Sequence, residues 1–139
     1  MTEGPSGRAA RLAFTSSGAR ADDPVDPRFG RCPYFLLYDE QGDRWEALPN
    51  SAMSLGNGAG IQAAQELASR KVTVVVTGDI GPNAHRVLSA AGIRVFVGCQ
   101  GTVENALAEY RAGKLAEATG PTRQGHHGAG PRGWGGNRW

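Results

Sequence analysis

Apolar and polar positions along the chain fall into short runs of two periods. Residues 11–17, "RLAFTSS", are an apolar run closing in hydroxyls before Gly18, the pattern of a buried first strand. Three prolines between positions 19 and 33 make that stretch a loop. Residues 34–40 and 44–50 flank Gln41, Gly42 and Asp43, which predicts a hairpin. In residues 61–71, Ile61, Ala64 and Ala68, with Leu67 beside them, recur at helical spacing. Residues 72–78, "VTVVVTG", are a continuous β-branched run, as in a strand buried on both faces. Residues 82–92 read as a helix opened by Pro82 and closed by Gly92, and residues 93–98 as another buried strand. Residues 102–114 form a helix capped by Thr102, with Val103, Ala106, Leu107 and Tyr110 on one stripe.

The order β-β-β-α-β-α-β-α predicts an α/β fold with right-handed crossovers between parallel strands and a hairpin at one side. The simplest arrangement is a five-stranded mixed sheet of order 3-2-1-4-5, with only strand 2 antiparallel and helices on both faces. One domain is expected over residues 10–118, after a disordered start at 1–9. A flexible tail is expected over 119–139, because 7 of the last 20 residues are glycine.

Composition narrows the class. A chain of 139 residues with 40% hydrophobic and 20% charged residues suits a single globular domain. A net charge of +2, with scattered Lys and Arg, lacks the basic face of a nucleic-acid binder. Two cysteines make no disulfide framework, and no segment has an apolar signal core or spans a bilayer. A cytoplasmic protein with free thiols, away from membranes and nucleic acid, is expected.

The 21 glycines point to chemistry through their placement. Ligands of open α/β sheets bind outside the carboxyl ends of the parallel strands. Loops 15–18, 50–60, 77–83 and 98–102 follow parallel strands or lead into helices at that edge. Strand 2 is antiparallel, so its start, residues 28–33, shares it. Three of these loops open helices, whose unpaired N–H groups and positive dipole ends favour anions. The candidate contacts are Gly56, Gly58 and Gly60 before the first helix, and Thr77, Gly78, Gly81 and Asn83 before the second. Cys99, Gly101 and Thr102 precede the third. Gly30 shapes the strand-2 turn, and Arg28 and Arg31 add positive charge there. Such a rim suits an anion bulkier than one phosphate. The other reading of each glycine is a turn or a cap.

Four blocks carry a resemblance: "RFGRCPYFLLYD" (28–39), "GNGAGIQAAQEL" (56–67), "VVVTGDIGPNAHRVLSAAGIRVFVG" (74–98) and "GTVENALAEYRAGKL" (101–115). In order and spacing they resemble the dinitrogenase iron–molybdenum cofactor biosynthesis family, which includes NifX- and NafY-like carriers, the C-terminal part of NifB-like proteins and stand-alone domains. The resemblance covers roughly residues 11–118. It implies a ribonuclease-H-like domain that binds, carries or helps assemble an iron–molybdenum or other molybdenum- or iron–sulfur-containing cluster. The implied partners are that anionic cluster and a cluster-assembly protein or ATPase. Nitrogenase-cofactor carriers of the family tend to have a histidine where this chain has Arg28, so the chain is more similar to the stand-alone members. His85 stands where relatives often have a large apolar residue and reads as packed.

Cys32 reads in two ways, as a cluster or metal ligand whose pKa the neighbouring arginines lower, or as a small buried hydrophobe. Cys99 ends strand 5 about 14 Å away, three strand spacings, too far for a disulfide but near enough to flank one bulky ligand. His126 and His127, in "GHHGAG", are candidate metal ligands or part of a solvated tail. A nuclease would need clustered carboxylates beginning on strand 1, which has none. The expectation is a non-catalytic carrier of an anionic metallocluster. The alternative is a regulatory or protein-interaction module binding a nucleotide or phosphometabolite at the same rim.

Overall fold

The β-branched and alternating runs do form strands, and their order sets the molecule's two faces. A computed structural model describes residues 10–54 and 58–120. Gly56, His126, His127 and the two expected terminal segments, apart from Thr119 and Gly120, lie outside the described residues. The strands are β1 (Arg11–Ser16), β2 (Tyr34–Asp39), β3 (Arg44–Pro49), β4 (Val74–Val76), β5 (Arg94–Val97) and β6 (Ala116–Glu117). The helices are α1 (Ala59–Ser69), α2 (Pro82–Ala90) and α3 (Val103–Arg111), with a 3₁₀ turn at Ser51–Ser54. Among the described residues no helix is long and apolar enough to cross a membrane.

The sheet order is β3-β2-β1-β4-β5-β6. β1 runs parallel to β4 and β4 to β5, while β2 is antiparallel to both neighbours. The expected order of the first five strands holds, and a sixth strand corrects the count. β6 pairs antiparallel with β5 through Val97–Ala116 and Phe96–Glu117. Two residues carry no readable period; β6 is held instead by Ala118 N–H donating to Val95 O at 2.8 Å and by the Arg94–Glu117 ion pair at 2.8 Å.

Alternation along the central strands divides the core. Ala13, Phe35, Leu37, Val75 and Val95 face α1 and α2, meeting Ala63, Ala64, Leu67, Ala84 and Leu88. Leu12, Phe14, Leu36, Tyr38, Val74 and Val76 face α3, meeting Val103, Ala106 and Leu107. A sheet covered on both faces leaves its ends as the places where backbone is reachable. His85, expected to be packed, is half-buried beside the core, and its Nε2 lies 3.3 Å from Ala118 O.

Candidate anion-binding site

At the carboxyl end of the sheet the chain first fills the crevice itself. Residues 24–28 cross the ends of β1 and β4 as a strap. Val25 N–H donates to Gly101 O (2.8 Å), Asp26 N–H to Thr15 O (3.1 Å) and Asp79 N–H to Pro27 O (2.9 Å). Thr15 and Thr77 are both wholly buried beneath it, which explains two hydroxyls in an apolar interior. Thr15 Oγ1 donates to Asp26 O at 2.6 Å and lies 3.0 Å from Thr77 Oγ1. Gly78 is glycine for the same reason, since a Cβ there would lie 2.6 Å from Pro27 Cβ. Thr77 is therefore buried in anchoring the strap, and Gly78 packs directly against it.

The strap also takes Arg28 out of the charge expected at the rim. Its Nε and Nη2 donate to the two carboxylate oxygens of Asp26 at 3.1 and 3.0 Å, and its N–H donates to Asp26 Oδ1 at 2.9 Å. Burial pushes the Asp26 carboxyl up, and the bonds from Arg28 overcome this to hold it below the usual carboxylate range. The pair is neutral as a unit. Asp26 is the residue that sequence reading missed; the available signal was an acid two positions before an arginine across a proline.

The third helix start is closed as well. Val103 N–H donates to Asp23 O (3.0 Å), Glu104 N–H to Ala21 O (2.8 Å), and Asn105 N–H to the capping Thr102 Oγ1 (3.1 Å). Gly101 O is taken by Val25. The first amides of α3, at residues 103–105, are therefore already answered by the preceding loop and the cap, which leaves the expected site over residues 99–102 without the help of an open helix start. Glu104 adds a carboxylate in the first turn, at the positive dipole end.

The other two helix starts remain open and converge. α1 begins after Gly58, in the left-handed region at φ 88°, and α2 after Gly81; neither is capped by a side chain, and neither has an acid in its first turn. They line a pocket of about 200 Å³ with Phe29, Gly30 and Arg31. The walls touch closely. A Cβ on Gly30 (φ 92°) would lie 2.9 Å from Gly60 Cα, and one on Gly60 would lie 3.2 Å from Ala84 Cβ. Of the expected contacts the pocket brings together Gly30, Arg31, Gly58, Gly60, Gly81 and Asn83. It adds Phe29, Ala59, Ile61, Pro82 and Ala84, apolar side chains that give no chemical signal in the sequence. Larger depressions of about 400 and 280 Å³ share Arg11 and Asp39 at the opposite end of the sheet, away from any helix start.

The thiols do not belong to this pocket. Cys32 has no exposed surface and packs with Phe29 and Phe35 on the α1–α2 side. Burial, reinforced by the nearby Asp26 charge, pushes its thiol up to about 12, the reverse of the expected lowering. Cys99 packs on the α3 side, and burial pushes it up to about 12 too. Two cysteines on opposite faces of one sheet cannot flank one ligand. Among the described residues no group of three or more His, Cys, Asp and Glu could hold a metal ion.

Residues 8–113 match the family described as dinitrogenase iron–molybdenum cofactor. The chain is similar to the apo form of the orange protein of Desulfovibrio gigas, with 39% identity and a TM-score of 0.80 over 84% of this chain and 98% of that one. It is also similar to a candidate NifB protein from Thermotoga, with 34% identity and a TM-score of 0.74 over 82% of this chain and 97% of that one. An uncharacterized protein of Methanocaldococcus jannaschii is 29% identical over 94 residues, 66% of this chain and 80% of that protein.

Proposed function

Because this chain belongs to the dinitrogenase iron–molybdenum cofactor family, we propose that it is a non-catalytic carrier for an anionic metallocluster containing molybdenum or iron–sulfur. Its place is in cofactor assembly or metal handling, with a cluster-assembly protein or ATPase as partner. The ribonuclease-H-like classification belongs to the same reading. One observation carries it: two uncapped helix starts and Arg31 line one pocket, each favouring negative charge.

The donor set fits a particular kind of cargo. Both thiols are buried and the described residues hold no group of three or more His, Cys, Asp and Glu, which suits a cluster that brings its own ligand shell. Backbone N–H groups at the two helix starts and the Arg31 guanidinium then hold its outer atoms by charge-assisted hydrogen bonds. Size favours a compact anion over a nucleotide. The pocket's 200 Å³ is below the roughly 300–1,000 Å³ of clefts that bury drug-sized ligands.

Anaerobic mixing of the purified protein with tetrathiomolybdate tests this. The expected result is visible absorbance that elutes with the protein, undiminished in Cys32→Ala and weakened in Arg31→Ala. Thermal stabilisation by nucleotides alone, with no thiometallate uptake, would sink the carrier reading in favour of a nucleotide-binding module.

A further inference from the structure

The pocket's third wall, Phe29–Arg31, belongs to no helix or strand, yet its backbone is tightly specified. Gly30 is held in the left-handed region against Gly60. The turn is fixed on one side by Arg31 N–H donating to Arg28 O at 3.2 Å, and Arg28 is itself clamped by Asp26. On the other side it is bonded by a side chain from elsewhere. Asn50 Nδ2 donates to Gly30 O at 3.1 Å and to Cys32 O at 2.8 Å, the carbonyls on either side of Arg31. Its Oδ1 accepts from Ala52 N–H at 3.1 Å, and its own N–H donates to Pro33 O at 2.9 Å.

We propose that Asn50 is the positioning residue of the candidate site: it fixes Arg31 and the Gly30 turn against the open starts of α1 and α2. The chemistry needs asparagine. Two donors and one acceptor on a short side chain match two carbonyls and one N–H. Aspartate keeps the shape and the bond from Ala52 but turns an oxygen towards two carbonyl oxygens. Alanine loses all three bonds.

This proposal rests on the pocket being an anion site, so it is tested in two ways. The first is a double-mutant cycle with tetrathiomolybdate as probe. If Asn50 acts through Arg31, Asn50→Ala and Arg31→Ala each weaken binding by about tenfold, and the double variant is no weaker than either alone. Losses that multiply would mean that Asn50 acts independently of Arg31, which overturns the proposal. The second needs no ligand: amide hydrogen exchange in Asn50→Asp, a near-isosteric variant. Exchange at residues 30–32 accelerates while the β1 and β4 amides stay protected. Wild-type exchange rates across the turn would equally overturn it. If wild-type protein takes up no thiometallate, the carrier reading fails, and the exchange experiment still decides the role of Asn50.

Discussion

Three helix starts follow the carboxyl edge of this sheet, and among the described residues the chain itself closes one of them and leaves two uncapped. The starts of α1 and α2 have no side-chain cap and no first-turn acid. The start of α3 has a threonine cap, a glutamate, and two amides bonded to the carbonyls of Ala21 and Asp23. The same unsatisfied positive end is neutralised internally in one case and presented to a shared pocket in the other two. A helix start is thus a possible site only where the rest of the chain leaves it unanswered.

The largest break in this contrast should come from the open side. Gly30→Val combines left-handed strain with a Cβ at 2.9 Å from Gly60 Cα. The expected cost is about 3 kcal/mol. That amounts to roughly 10–20 °C in thermal unfolding, with loss of thiometallate uptake; a wild-type unfolding temperature would refute the packing described. On the closed side, Thr102→Ala removes one cap, worth about 1 kcal/mol, and should leave uptake unchanged. Weakened uptake in that variant would reopen the third helix start as part of the site. The smallest effect is the most discriminating. Asn83→Asp puts a carboxylate in the first turn of α2, as Glu104 does in α3, within reach of Arg86, which already donates to Asn83 Oδ1. Stability should rise by about 0.5 kcal/mol while anion uptake falls several-fold. A fall in both, or in neither, would argue against an anion at this end.

Much of this is legible in the amino-acid sequence alone. Period-two alternation and the run at 72–78 place the first five strands in order. That order locates the loops with Gly30, Gly58 and Gly81 at one edge. The closure of α3 is not legible, because the acceptors are backbone carbonyls at positions 21 and 23, and no side chain advertises them. The strap is hidden in the same way, although the buried hydroxyls of Thr15 and Thr77 mark where it is tied. Cys32 misleads because sequence position puts it beside two arginines, while the fold turns it inwards into the core that holds Phe29 and Phe35. Arg31 lines the pocket, while Arg28 is paired with Asp26 in the strap. The role of Asn50 depends on a hairpin bringing position 50 back to position 30.

β6 has a practical use. It runs antiparallel to β5, so the backbone from Val97's partner Ala116 to Ala118 moves away from the edge that carries the pocket. A fluorophore attached at Gly120, just past β6, thus follows a stretch of backbone that leads away from the pocket and labels the protein without occupying either helix start.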